Sequence, residues 1–302
     1  MEISAIITTH KRPKLLQRAI NSVVTQTYKP KEIIVVSDGR DPETDIVMDQ
    51  VMSAHAQVRY MVVDPPQGAN IARNKGIESA DNEWIAFLDD DDEWLPEKLS
   101  KQQDAASQAP DVGLVCTRVR NIYEKEKISY VYKNPYSGDL SRKILIRNYV
   151  GATSTVLARR SLVVECGLFD PHMPAMQDCD LWIRLCQKTK VSAVPDVCVN
   201  CYSHYGDHQI SQDANRYVEA FDLIEKKYAS YYSALSDAER NEYEYNKNKT
   251  LSVKGLRNGN RRAAREWAVK ALRNKKTLKA AAYCILSFLP FRIALSLRRI
   301  AG

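Results

Sequence analysis

Four consecutive carboxylates, Asp89 to Asp92, stand at the end of the apolar run Trp84 to Leu88. Like charges this close raise one another's pKa and push their own segment open, so the run is either a solvated acidic turn or a place to hold a cation. Polar groups recur at comparable places. Thr8 and Thr9 close the apolar run that starts at Ser4, and Asp38 closes the run that starts at Glu32. In an open α/β sheet the ligand crevice lies outside the carboxyl ends of the strands, so the three runs aim hydroxyls and carboxylates at one place. A hard cation such as Mg²⁺ or Mn²⁺ takes carboxylate oxygens, one or two from protein and the rest from phosphate and water. No G-x-G-x-x-G or G-x-x-x-x-G-K loop follows any of these runs, which disfavours dinucleotide dehydrogenases and P-loop enzymes.

The elements that must position these groups read clearly in the first third of the chain. A strand over Ser4 to Thr9 is followed by Leu15, Leu16, Ala19, Ile20, Val23 and Val24 at helical spacing. A strand over Glu32 to Asp38, a helix from Glu43 to Ala54, a strand over Val58 to Val63, a helix over Asn70 to Ser79 and the strand Trp84 to Leu88 repeat the alternation. Strands joined by helical crossovers predict a doubly wound, mostly parallel α/β half. After Leu99 the pattern loosens. Strands are expected over Val112 to Val119 and Lys127 to Lys133, a helix over Leu140 to Asn148, and a strand running into a short helix over Ala152 to Val163. A further helix is expected from about Asp178, and Val191 to Tyr205 closes the sheet region. From Ser211 onward the pattern is helical throughout.

The chain has 302 residues and a net charge of +7 that is unevenly placed. From Lys249 to the end there are fourteen Lys or Arg against one acid, Glu266, a net +13, which leaves the first 248 residues at −6. The front carries no basic patch with interleaved aromatics, so nucleic acid is a poor partner. The back suits an acidic surface such as a membrane leaflet. Seven scattered cysteines in apolar surroundings fit a reduced, cytoplasmic chain, and the opening residues have no signal-peptide pattern. Cys198 and Cys201 lack the second pair that a structural zinc site needs.

Three stretches carry a resemblance: "SAIITTHKRPKLLQRAINSVVTQTYKPKEIIVVSDG", "GANIARNKGIESADNEWIAFLDDDDEWLPEKL" and "GLFDPHMPAMQDCDLWIRL". Together, over about Ile3 to Ser211, the chain resembles the family-2 glycosyltransferases of the GT-A fold, inverting enzymes that build bacterial surface polysaccharides. The resemblance implies a GT-A catalytic domain over 1–210, with a C-terminal helical, basic region over 211–302. It implies a nucleotide-diphosphate sugar donor, a UDP-sugar, and Mn²⁺ or Mg²⁺ as cofactor. Asp89 and Asp91 then become the D-x-D pair, Asp91 on the metal and Asp89 on the ribose or the metal's water. Asp90 is the variable intervening position on the donor-binding side, and Asp92 caps or orients the segment leading to a helix near Pro96. Asp38 matches the nucleobase-binding aspartate, although the family's Asp-Asp-Gly-Ser reads Ser37-Asp38-Gly39-Arg40 here. Thr8 and Thr9 line the same pocket and Arg73 faces the nucleotide, with Asn74 and Gly76 in the same motif.

A transferred sugar needs one positioned base to take the acceptor's proton. The resemblance gives that role to Asp178, which as a bare residue at a helix start also reads as an N-cap. Asp180 is the second candidate base, and Trp182 either stacks on a sugar or fills the core. His208 is a candidate to complete the metal shell. The processive Gln-x-x-Arg-Trp motif is missing, since Trp182-Ile183-Arg184 stands there, so single addition is expected.

The tail places Ala264, Trp267, Ala268, Ala271 and Leu272 on one helical face, and its apolar run Ala280 to Phe291 is too short to span a bilayer. A basic amphipathic segment lying on the inner face of the plasma membrane fits a lipid-linked glycan acceptor, and helices packed on the catalytic domain are the alternative. The competing functions are a metal-dependent nucleotidyl- or phosphotransferase and a non-catalytic polysaccharide-binding protein.

Overall fold

The computed structural model describes residues 1–131, 136–203 and 214–301. Its first half follows the hydrophobic periodicity. Strands β1 (Ile3–Thr9), β2 (Glu32–Asp38), β3 (Val58–Val63) and β4 (Trp84–Asp89) alternate with helices α1 (Pro13–Val24), α2 (Pro42–Ala54) and α3 (Ala69–Ser79). β1 and β2 are buried at every position, as parallel strands covered on both faces are. α1 opens on Pro13, whose missing N–H is no loss in a first turn. The Asp41 side chain caps α2 by accepting the Thr44 N–H at 3.1 Å. α3 lies unusually close to the sheet: a Cβ on Gly76 would stand 2.5 Å from Ile6 Cγ2, so only glycine lets the helix approach this far.

The chain continues through β5 (Asp92–Trp94), α4 (Lys98–Ser107), β6 (Val112–Tyr123), β7 (Ile128–Val131), α5 (Lys143–Ile146) and a 3₁₀ turn at Thr153–Thr155. Next come β8 (Val156–Arg159), α6 (Arg160–Glu165), α7 (Gln177–Cys186) and β9 (Lys190–Tyr202). The nine strands among the described residues join one sheet in the order β3-β2-β1-β4-β8-β6-β9-β5, with β7 paired to β6. Parallel pairing holds across β3, β2, β1 and β4, and returns between β6 and β9. The other neighbours are antiparallel, so the sheet is mixed. The short turn between β6 and β7 shows why: a hairpin connection can only join antiparallel strands, whereas a parallel pair needs a long crossover. Alternate residues of β1 feed two separate cores, Ile6 on one face and Ala5 and Ile7 on the other.

The last third is helical among the described residues: α8 (Ala214–Lys227), α9 (Ala229–Ser233), α10 (Asp237–Arg257), α11 (Arg261–Asn274), α12 (Leu278–Leu286) and α13 (Phe291–Ala301). Much of it packs on the sheet. Ala220, Phe221 and Ile224 of α8 join the core that holds Ile6 and Trp182. α11 buries Ala264, Ala268 and Ala271, the face its spacing predicts, and Trp267 packs against the same core. Phe291 and Leu295 of α13 close on Tyr123, Ile128 and Tyr130 of the β6–β7 hairpin. Leu278, Ile285, Phe288, Ile293 and Leu297 nevertheless remain exposed. No helix among the described residues is long and apolar enough to cross a membrane.

Candidate active site

The strand register brings the polar ends together. Thr8 lies beside Asp89 across β1 and β4, and Thr9 beside Ser37 across β1 and β2. These ends open into a cleft of about 710 Å³ lined by Thr8, Thr9, Asp38, Arg73, Asp89, Asp90, Asp91, Asp92 and Asp178. The volume suits a small-molecule ligand. His208 lies outside the described residues, as does His204.

The four acids do not face one another bare. Asp89 accepts from Arg73 Nη2 at 2.7 Å. Asp90 accepts the Thr9 hydroxyl at 2.6 Å and Arg12 Nη1 at 3.3 Å. Arg12 also reaches Asp91 at 3.4 Å, and Arg18 donates to the Asp91 backbone carbonyl at 2.7 Å while stacking on Tyr202. Asp92 accepts the Ser154 hydroxyl at 2.6 Å and the Cys201 thiol at 3.2 Å. Asp92 therefore orients the turn by tying β5 to the 3₁₀ turn and β9. It does not cap α4, which starts at Lys98 with no side-chain cap. Burial, reinforced by Asp91 and Asp89, lifts Asp90 to about 6 and Asp92 well above the carboxylate range. Arg12, at the N-cap position of α1, and Arg18, halfway along it, carried no signal in the sequence.

The donor set is hard oxygen, suited to Mg²⁺ or Mn²⁺. Among the described residues no group of three or more His, Cys, Asp or Glu is arranged to hold a metal by itself. The protein's share would be one or two carboxylates, which is what such an ion takes beside a phosphate. Asp89 and Asp91, both cleft-lining, fit that share.

Asp38 ends β2 with both carboxylate oxygens turned to the loop before α3. Gln67 N–H donates to Oδ1 at 2.7 Å, and Gly68 N–H to Oδ2 at 2.9 Å. Gly68 N–H is shared with Oδ1 at 3.0 Å, so the lone-pair capacity left toward the cleft is on Oδ2. Gly39 next to it has φ 103°, and a Cβ there would meet Pro66 at 2.7 Å, so the turn after β2 requires glycine. Arg73, one helical turn into α3, also holds Asn70 Oδ1 at 3.2 Å, and its buried Nε has no hydrogen-bond partner. Asn74 points away from the cleft. It brackets Phe169 through both backbone groups, at 2.8 and 2.9 Å, and anchors the loop before α7.

At the start of α7 the N-cap position belongs to Met176, in left-handed backbone with φ 57°, and Asp178 lies inside the first turn. Asp178 is thus no N-cap, although Oδ1 accepts the Cys179 N–H at 2.7 Å. Burial raises Asp178 to about 6, with the positive charges of Arg73 and Lys254 pulling the other way. Asp180 takes no such place. It is fully buried and held by Arg184 at 2.6 Å, Tyr228 at 2.7 Å and Lys227 at 2.8 Å, a structural cluster. Trp182 is equally a core residue, 0% exposed, its indole N–H donating to Gly151 O at 3.0 Å. Neither lines the cleft.

The opposite wall comes from the tail, which sequence reasoning did not connect to the site. Thr250, Val253, Lys254 and Arg257 of α10 line the cleft at i, i+3, i+4 and i+7 spacing, joined by Tyr217, Tyr283 and Phe291.

The family model described as Glycosyl transferase family 2 matches residues 4–167. The putative colanic acid biosynthesis glycosyl transferase WcaA of Escherichia coli is 31% identical over 237 residues, covering 74% of this chain and 80% of that one. The GalNAc(5)-diNAcBac-PP-undecaprenol beta-1,3-glucosyltransferase of Campylobacter jejuni is 34% identical over 108 residues, 35% of each chain. Among solved structures, S. aureus TarS 1-349 in complex with UDP-GlcNAc superposes with a TM-score of 0.64 at 17% identity, over 100% of this chain and 83% of that one. The mannosyltransferase PcManGT of Pyrobaculum calidifontis, in complex with GDP-Man and Mn²⁺, gives 0.59 at 15% identity, over 99% and 87%. Both structures share the GT-A fold with this chain, a mixed sheet with flanking helices and a helical C-terminal part.

Proposed function

The chain belongs to glycosyl transferase family 2 and is a glycosyltransferase, and from that premise we propose that it moves a single sugar, with inversion, from a UDP-sugar to a lipid-linked glycan in surface-polysaccharide biosynthesis. The observation that carries the reading is the convergence on one cleft of Asp38 from β2, Asp89 and Asp91 from the end of β4 and its turn, and Asp178 from α7.

Asp38 offers an acceptor for the imide N–H of uracil, and Thr8 and Thr9 flank it. Arg12 and Arg73 keep the carboxylates of Asp91 and Asp89 oriented toward the cleft and damp their mutual repulsion. Mn²⁺ or Mg²⁺ held by Asp91 and Asp89 would neutralise charge on the departing nucleoside diphosphate. Asp178, ionised at neutral pH, takes the proton of the acceptor hydroxyl as that oxygen attacks from the face opposite the leaving group. Direct attack by the acceptor oxygen in one displacement gives inversion. The TarS complex with UDP-GlcNAc supports a uridine donor, and the undecaprenol-linked acceptor named for the Campylobacter relative supports a lipid-linked one. Incubation with a panel of UDP-sugars, Mn²⁺ and a lipid-linked glycan should release UDP. Absence of any nucleotide-sugar binding with metal present would sink the reading.

In this reading 1–210 is the catalytic unit, and 211–302 closes the cleft and meets the inner leaflet of the plasma membrane. The exposed Leu278, Ile285 and Phe288, in a region with no acid after Glu266, support that contact. Removing the whole tail end would also strip Phe291 and Leu295 from the β6–β7 hairpin. The combined substitution Leu278→Ser, Ile285→Ser and Phe288→Ser is the cleaner perturbation, and it should abolish co-sedimentation with anionic vesicles while leaving donor binding intact. Unchanged sedimentation would assign the patch elsewhere.

A further inference from the structure

Three tyrosines in the core beneath α7 and α8 spend their hydroxyls on protein partners. Tyr228 donates to Asp180 Oδ1 at 2.7 Å, Tyr232 to the Leu145 carbonyl at 3.1 Å, and Tyr243 to Glu225. Chemistry asks for this, since a phenol ring gains from burial while its O–H loses by it unless a hydrogen bond is made. Tyr217, near the start of α8, packs against the same core and differs. Lys254 Nζ lies 4.2 Å from the centre of its ring and helps fix the ring's plane, yet its hydroxyl makes no hydrogen bond among the described residues.

Tyr217 lines the cleft, and so does Asp178. The carboxylate's charge reaches the phenol, although no hydrogen bond joins the two. Burial and that charge hold the phenol well above its ordinary value, so it keeps its proton and acts as a donor across neutral pH. A donor and a base that sense one another without touching leave a gap for a ligand with both characters. The hydroxyl that Asp178 deprotonates belongs to the acceptor. A sugar carries oxygens on adjacent ring carbons, so one that offers a hydroxyl to Asp178 brings a second polar group beside it.

We propose that the Tyr217 hydroxyl donates a hydrogen bond to the acceptor sugar, at the substituent next to the hydroxyl being glycosylated. α8 of the C-terminal region thereby takes part in choosing which acceptor hydroxyl reaches Asp178. This rests on the transferase reading of the cleft and adds to it the group that positions the acceptor. A hydroxyl or an acetamido carbonyl at the neighbouring carbon satisfies the donor, and a bare methylene does not.

The test uses the full chain saturated with UDP and Mg²⁺, with 3-fluorotyrosine replacing Tyr217 alone so that ring and hydroxyl are kept. The methyl glycosides of glucose, galactose, N-acetylglucosamine and N-acetylgalactosamine are titrated singly, with cyclohexanol as the control that lacks a neighbouring oxygen. The fluorine resonance should move with at least one glycoside and not with cyclohexanol. Tyr217→Phe should weaken that glycoside about two- to tenfold, the loss of one neutral hydrogen bond, with UDP affinity changed less than about twofold. Among the monodeoxy derivatives of the glycoside, one should bind the unmodified protein as weakly as the parent binds Tyr217→Phe, and lose nothing further in the variant. General loosening of the cleft does not produce that non-additivity. A resonance that no glycoside moves, an undiminished affinity in Tyr217→Phe, or losses that add for every deoxy derivative would overturn the proposal. So would a response to UDP-glucose or UDP-N-acetylglucosamine alone that no glycoside adds to, which would place the hydroxyl on the donor. If Tyr217→Phe does not fold, the fluorine titration with the monodeoxy series decides by itself, one silent derivative supporting the proposal and none overturning it. Failure of the unmodified protein to bind UDP counts against the donor reading instead, and the same titration without UDP still decides the role of Tyr217.

Discussion

Replacing Asp178 by Asn separates chemistry from binding. The amide oxygen can still accept the Cys179 N–H that Oδ1 now takes at 2.7 Å, and the volume is unchanged, so the fold around α7 is expected to hold. What disappears is the proton acceptor, and removal of a positioned general base costs about 10²- to 10⁴-fold in turnover, roughly 3–5 kcal/mol. The unmodified protein supplies a second, independent reading of the same group. Asp178 must be ionised to act, and burial raises it to about 6. Turnover should therefore be level above neutrality and fall as pH drops through 6, reaching about a tenth of its plateau one unit below. Neutralising the nearby Asp89 removes a negative charge that helps hold the value up, so residual activity of Asp89→Asn should show an acid limb shifted to lower pH. The assay is UDP release at saturating donor from pH 4.5 to 9, with donor affinity measured calorimetrically at each end. Turnover of Asp178→Asn within about tenfold of the unmodified protein would refute the assignment. Loss of donor affinity equal to the loss of turnover, or a profile flat through pH 6, would do the same.

Asp91→Asn should remove the metal-dependent part of UDP-sugar binding, a loss of at least about tenfold by calorimetry with and without Mn²⁺; equal affinity in both media would rule out metal contact. Asp90 works against the fold at neutral pH. Its folded-state value of about 6 lies above the ordinary 3.8, so its favourable contribution is present at low pH and is lost as pH rises through that window. Asp90→Asn should then stabilise the ligand-free protein by up to about 3 kcal/mol at pH 7 and by little at pH 4, measured as melting temperature. A gain of the same size at both values would contradict the linkage. Gly76→Ala should destabilise by about 1–3 kcal/mol in denaturant unfolding, because the new methyl meets Ile6 Cγ2 at 2.5 Å and outweighs the better helix propensity; no loss would mean α3 can back away from the sheet.

The donor side of the site was legible because its residues follow strands. A buried run ending in Asp or Thr announces both a strand and a polar group at its carboxyl end, which is why Thr8, Thr9, Asp38 and Asp89 to Asp91 were found together. Arg73 needed the motif resemblance. Asp180 stood as the second candidate base and Trp182 as a candidate to stack on a sugar, both within one helix turn or so of Asp178. What separates them is the packing partner, and Lys227, Tyr228 and Gly151 come from elements that local periodicity cannot connect to α7. The α10 wall was invisible for the same reason. Its stretch from Asn246 to Arg257 reads as a polar, basic helix, and only the tertiary arrangement brings Lys254 and Arg257 to the cleft that Asp178 lines, more than seventy residues earlier in the chain. The mixed pairing beyond β4 escaped because strand direction is set by connections, and those around β8 and β9 leave little mark in composition.

Asp92 is fastened by Ser154 and Cys201, 62 and 109 residues further along the chain. During synthesis Asp89, Asp90 and Asp91 emerge with Arg73, Thr9, Arg12 and Arg18 already made, whereas the ties of Asp92 come later, and β5 has no strand partner among the described residues until β9 has been made and has paired with β6. Pairing over that separation carries a large loop-closure entropy and belongs to the slow part of folding. Asp92, the last of the four acids, is fastened only when almost the whole sheet has closed. Maturation of the site is thus a late event, and burial of the Cys201 thiol, followed by its protection from alkylation during refolding, offers a clock for it.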